Sequence, residues 1–365
     1  MLCKPLLLAA SAALVATPAL ARREQPPQPP AQPGTLMDHL SGITAEVPGA
    51  EHFSGLVIAP DGHITAVLRD GDPRPRTQFA MDSKGAVLVP GRFAQPMRLM
   101  IVGLTMIAEG TPLDKLPPPR PEDRDLAFGT VQEALLKRGV TTVIDAGTTI
   151  EDWQTYRRAG DSGRLRIRII CYADGVSQMA LIGGPKPTPW LYDDHLRLAG
   201  VWLAPTATIP HLSDIQLKNL MSRAAIDHFQ VAVLAPDAAS QASARAAVED
   251  LSQTYQGDRR WRIESEAPLA TLPQDDRALI DGDAALGTAA HAAFAEDRLG
   301  GIAAGHDADF LLFDRADNGT ATTISQVWIS GRPVFSPSDS ATKDRMGAPQ
   351  SADDKRGTEP SGDGR

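Results

Sequence analysis

From Asp123 to Glu266 the sequence alternates helical patterns with short apolar runs, and this alternation restricts the chain to few folds. Helical periodicity covers Asp123 to Arg138 with Gly139 as its stop, Ile150 to Ala159, Ser213 to Asp227 and Asp237 to Tyr255. Ser213 and Gln216 form a capping-box pattern at the third of these. Flanking the helices run "GVTTVIDAG", "RLRIRIICYADG", "AGVWLAPTA", "FQVAVLAPD" and "RWRIESE". Strand, helix, strand, helix is the pattern of a parallel sheet made from βαβ units, either doubly wound or a β/α barrel. In both, chemistry gathers where the strands end at their C-terminal side.

The two flanks read as β structure. "GLVIAPDGHITAVL" is a pair of apolar runs joined by Asp61-Gly62, a hairpin signal, and "ADFLLFDRA" is followed by "QVWISGRPVF" with a turn at Ser330-Gly331. Two β segments at opposite ends can pair across the molecule and leave the region between them as an insertion. Residues 1–21 combine Lys4, an apolar segment and "ALA" ending at Ala21, the pattern of a cleaved export signal too short to span a bilayer. Cys3 leaves with that signal, so Cys171 remains as a small buried core residue. Residues 22–34 are a Pro-rich linker, and 337–365 a tail without periodicity, expected to be disordered. Acidic residues outnumber basic ones by 45 to 36 with no basic stripe, which argues against a nucleic-acid partner.

The strand ends present Gln95-Pro96-Met97-Arg98, Asp145, Asp174, Trp202, Leu234 with Asp237, and Ser265 with Glu266. A catalytic metal needs several converging His, carboxylate or thiolate groups, and these ends supply carboxylates but no histidine. His211 with Asp214 straddles a helix start and reads more simply as solvated loop. His291 could face a pocket or lie on a helix surface. Asp145 could be a buried acid with a raised pKa, or could cap and brace the loop before the next helix. There is no G-x-S-x-G elbow, no Walker lysine and no C-x-x-C. Asn318-Gly319-Thr320 matches a glycosylation sequon, a pattern common by chance.

"AFAEDRLGGIAAGHDADFLLFDR" resembles the closing segment of the amidohydrolase superfamily, and "GAVLVPGRFAQPMRLM" its opening segment, with "GVTTVIDAGT", "AGVWL", "FQVAVLA" and "RWRIES" in the family's order between them. The nearest branch is that of N-substituted formamide deformylase and the exoenzyme-regulatory-protein-like hydrolases. The resemblance implies a β/α barrel holding one or two divalent metals, whose bound hydroxide attacks a carbon–nitrogen bond. Its ligand pattern is missing here. The His-x-His pair falls on Pro96 and Arg98, the carbamate lysine on Trp202, and two further histidines on Leu234 and Ser265. The segment that would carry the catalytic aspartate is absent, since Ser265 to Gly287 is too short to hold it.

The expectation is therefore an α/β protein: a shortened, incomplete β/α (TIM-like) barrel over 93–300, inserted in a composite β-sandwich made by 35–92 and 301–336. Closure in the normal way needs eight strand–helix units. The expected protein is exported to the periplasm or medium, and has lost the zinc or other divalent metal and ordinary hydrolase activity. Two alternatives stand beside it. One is an active hydrolase of carbon–nitrogen bonds with a non-standard site, Asp145 with His291. The other is a periplasmic binding or scaffold protein that takes a small anionic or aromatic ligand between Arg98, Trp202 and Leu234. An exposed sheet edge would favour a homodimer, and a decayed gene product is the remaining reading.

Overall fold

Fourteen strands and seven α-helices follow one another in the computed structural model, which describes residues 31–45, 49–205, 212–280, 290–315 and 321–337. The expectations for the signal, most of the linker, His211, the sequon and the tail beyond Pro337 lie outside the described residues.

The α/β region forms one parallel sheet of six strands. In sequence they are β6 (Arg92–Phe93), β7 (Val140–Thr148), β8 (Arg168–Asp174), β9 (Leu196–Leu203), β10 (Gln230–Leu234) and β11 (Arg262–Glu264), and they lie side by side in that order. The helices between them are α2 (Pro121–Lys137), α3 (Ile150–Asp161), α4 (Gly175–Gly183), α5 (Asp214–Ile226) and α6 (Ala238–Thr254). Gly139, at φ 75, stops α2 as its sequence position suggests. Ser213 caps α5 through Gln216, and Asp237 caps α6 through the amides of Ala239 and Ser240.

Alternation along the strands sorts the core into two layers. Val143, Ile169, Cys171, Val201 and Val233 pack with Phe128, Val131, Leu217 and Ala244 of the helices. Ile144, Ile170, Tyr172, Trp202 and Ala232 line the concave face, which is covered by Ala290, Ala293, Ala295 and Leu299. Two helices escaped the sequence reading. The apolar run after Arg98 is α1 (Leu99–Ile107), and α4 follows Asp174 directly. Both are short and strongly apolar, so neither shows a polar face.

The β segments of the two flanks share a second sheet of eight strands. Its first part is β1 (Gln32–Ile43), β2 (His52–Ile58), β3 (Ile64–Leu68), β4 (Thr77–Asp82) and β5 (Val87–Pro90). β12 (Phe310–Arg315), β13 (Ala321–Ile329) and β14 (Arg332–Phe335) complete it. The ends pair across the molecule through β5 and β12, antiparallel, with Leu88 opposite Leu312. The Asp61-Gly62 and Ser330-Gly331 turns fall where expected, between β2 and β3 and between β13 and β14.

One buried guanidinium joins the two sheets. Arg168, at the start of β8 and 1% exposed, donates to both carboxylate oxygens of Asp309 at 2.6 and 3.0 Å and to Ser330 Oγ at 2.8 Å. It also donates to the Asp194 carbonyl at 2.6 Å and lies 2.9 Å from Asp307 Oδ2. Arg298 closes the network on Asp307 and Asp194, at 2.9 and 2.7 Å. Replacing Arg168 by Met leaves Asp307 and Asp309 buried and short of a cation, a defect worth roughly 3–5 kcal/mol. Denaturant titration is expected to show that loss for R168M, and a loss under about 1 kcal/mol would mean the network is not the joint described.

Candidate functional site

The candidate site is the rim formed by the C-terminal ends of the parallel strands. After β6 the chain stays extended: Met97 N donates to the Ile144 carbonyl at 3.0 Å, and Ala146 N to the Met97 carbonyl at 2.8 Å. Met97 is buried in the helix-side layer, which by alternation puts Pro96 and Arg98 on the rim side. Arg98 crosses the end of β7, where a Cβ on Gly147 would meet its guanidinium at 2.9 Å, and its Nη2 reaches Asp174 Oδ2 at 3.3 Å. Gly147, at φ 96, gives that passage its room. In register with Asp174 on β9 stands Trp202, 2% exposed. Leu234 packs on the same concave cluster. Glu264, paired with Leu234 across the strands, is ion-paired with Arg262 at 2.7 Å, and Ser265 is exposed beyond it.

These residues follow one another along the strand ends of one sheet. Their chemistry does not suit a divalent metal. Pro96 and Leu234 have no donor atom, Arg98 is a permanent cation, and the indole of Trp202 occupies buried space. The rim carboxylates Asp174 and Glu264 are each held by an arginine. Among the described residues no three His, Cys, Asp or Glu side chains are grouped so as to hold a metal ion.

Asp145 and His291 are not brought together. Asp145 has the parity of Val143 and faces the helices. Its Oδ1 accepts from the Leu99 amide at 2.8 Å, at the start of α1, and its Oδ2 from Thr148 Oγ1 at 2.8 Å and Tyr156 OH at 2.9 Å. It therefore braces its own loop and the preceding helix, while α3 is capped by Thr149 with Asp152. His291 has a mostly exposed side chain 3.2 Å from Glu296 Oε1, and its carbonyl accepts from Arg260. Burial and loop bracing are both among the sequence readings of Asp145, whereas its bond to the Leu99 amide, 46 positions earlier, leaves no local signal.

A short strap crosses the mouth of the sheet. Glu264 ends the last strand beside β10, whereas Leu269, five positions on, pairs with Met97 at the other edge: Arg98 N donates to the Leu269 carbonyl at 2.8 Å and Leu269 N to the Pro96 carbonyl at 2.9 Å. Five residues span at most about 18 Å, so this strap ties the end of the last strand to the chain that follows the first. The outer edge of the first strand is covered further on, where Gln95 N donates to the Leu279 carbonyl at 2.7 Å.

No protein-family model and no curated protein sequence matches this chain. Solved structures do match. A zinc-bound adenosine deaminase from Xanthomonas campestris is 14% identical, over 87% of this chain and 98% of that one, with a TM-score of 0.56. An uncharacterized metal-dependent hydrolase from Pyrococcus furiosus is 14% identical, over 77% and 99%, with a TM-score of 0.54. A protein described as an amidohydrolase is 15% identical, over 83% and 98%, with a TM-score of 0.55.

The buried acid makes a prediction. Burial, with the Asp152 carboxylate as the next cause, raises the Asp145 carboxyl from 3.8 to about 6, against the hydrogen bonds from Thr148, Leu99 and Tyr156. Between those values the folded chain keeps a proton that the unfolded chain has released. Stability should fall as pH rises through this window, by roughly 2–3 kcal/mol, and level off above it. Urea midpoints measured from pH 4 to 7 are expected to show that fall in the native chain and not in Asp145→Asn; equal slopes in both would assign it to another group. With its curled parallel sheet, its flanking shared sheet and these structural neighbours, the chain has the fold of the amidohydrolase superfamily.

Proposed function

We propose that this chain is an exported protein on a metal-dependent hydrolase scaffold that has lost the metal centre and works without hydrolysing carbon–nitrogen bonds. The observation that carries the reading is the Arg98–Asp174 ion pair at the rim. It puts a cation where a metal ligand would stand, and it neutralises a carboxylate that could have served as one. Trp202 and Leu234 support the same reading, because they extend the concave core into the space a cluster would need. The barrel is read as shortened to six strand units inside a composite β-sandwich of the two flanks. We assign residues 1–21 to an export signal cleaved after Ala21, on the pattern of charge, apolar run and small residues. Among the described residues no helix is long and apolar enough to cross a membrane.

A non-standard hydrolase built on Asp145 and His291 is not favoured, since the first faces the helix layer and the second sits beside Arg260. A ligand anion held by Arg98 is less favoured, because Asp174 already stands beside that guanidinium as a countercharge.

Metal analysis tests the proposal. Protein dialysed against zinc and then desalted should hold far less than one equivalent, and should show no chelator-sensitive hydrolysis of N-formyl or N-acyl amino acids. Stoichiometric retained zinc would overturn the metal-free reading. Export is tested separately by mass spectrometry of the periplasmic fraction, where the chain should begin at Arg22.

A further inference from the structure

At the end of the parallel strands remote from the rim, an arginine makes no ion pair with any of the described residues. Arg197 stands near the start of β9 between Leu196 and Leu198, both buried in the helix-side layer, so its side chain projects to the concave face. Its Nε is closed off from solvent without a hydrogen-bond partner. Among the described residues no carboxylate forms an ion pair with it, and Asp297 acts on it only through its charge, without a hydrogen bond. Its company is Trp190, whose ring centroid lies 5.8 Å from the guanidinium carbon, with Arg298 at 5.8 Å from the same ring. Neighbouring arginines are satisfied: Arg298 by Asp194 and Asp307, Arg260 by Asp258 and Glu296. Burial holds the Arg197 guanidinium below the ordinary arginine range, and the Arg298 charge adds to that.

Arg197 lines a cavity of about 360 Å³ with Arg259, His228, Phe229 and Phe294 in its walls. Arg259 Nη1 donates to the Ala225 carbonyl at 3.2 Å and lies 3.4 Å from His228 Nδ1. The acid in the wall, Asp258, is taken up by Arg260 at 2.9 Å. The cavity thus offers two guanidinium groups and no uncommitted carboxylate, with Phe229, 2% exposed, and Phe294, whose ring lies under Arg260 at 3.9 Å, presenting only edges to it. The Arg197 Nε, cut off from water, loses a solvation partner that the fold does not return, and an entering anion would return it. The guanidinium fork suits the paired oxygens of a carboxylate.

We propose that this cavity binds a small aromatic carboxylate, with its oxygens on Arg197 and Arg259 and its ring against the aromatic wall. The site is at the opposite end of the strands from the rim and does not depend on the loss of the metal centre.

Benzoate is the probe, with benzyl alcohol as its neutral counterpart and inorganic phosphate as an anion without a ring. Benzoate should raise the melting temperature saturably, benzyl alcohol should leave it unchanged, and phosphate should act more weakly than benzoate. Arg197→Met should raise the melting temperature of the free protein, since it removes an unpaired cation, and should abolish the benzoate shift. A purely structural Arg197, held by Trp190, would give the reverse: a lower melting temperature in R197M with the benzoate shift retained. That result overturns the proposal, as does a flat benzoate titration of the native chain. Should R197M fail to fold, Arg259→Gln carries the test. Benzoate affinity must then fall roughly tenfold or more, and unchanged affinity overturns the proposal.

Discussion

Everything in this molecule is arranged around the buried guanidinium of Arg168. A charge removed from water is tolerable only when each of its donors is met, and those of Arg168 are met by groups from separate parts of the chain: Asp309 and Ser330 beside the flanking sheet, and the Asp194 carbonyl ahead of β9. The interaction therefore sets how the parallel sheet sits on the flanking sheet. Asp307 extends the network to Arg298, which belongs to the segment covering the concave face. Packing of the concave face and docking of the two sheets are thus specified by one set of charges.

Much of this architecture was legible in the sequence. The long amphipathic helices announced themselves through period and caps, and Ser213, Asp237 and Gly139 act where their residue types suggest. The hairpin at Asp61-Gly62 and the turn at Ser330-Gly331 needed nothing beyond local chemistry. Even the pairing of the chain's two ends followed from having β segments at both. What escaped was nonlocal or featureless in pattern. Helices α1 and α4 lack a polar face, so their apolar runs give no period to read. Asp145 does not cap the helix after it, but joins that helix, through Tyr156, to the start of the helix before it at Leu99, a link made by tertiary packing.

The rim shows the same division. The residue types at the strand ends could be read one at a time, and the structure orders them along one sheet. That Arg98 would find Asp174, 76 positions away, could not be read, because an ion pair between distant segments leaves no trace in spacing. The pairing matters more than either residue alone. A lone arginine at the rim would be a receptor for anions, whereas a paired one is part of the wall. By the same reasoning Arg197 stands out at the opposite end, where its neighbours' charges are already spent.

The strap between Glu264 and Leu269 has a topological consequence. A ring of strands is ordinarily thought to hold together because its last member hydrogen-bonds to its first. Here a short bent segment runs from the end of the last strand to the chain after the first, so the two edges are tied without pairing with each other. Such a tie couples the positions of two sheet edges through the covalent chain, which lets an open, curled sheet keep its mouth fixed without a full ring of strand pairings.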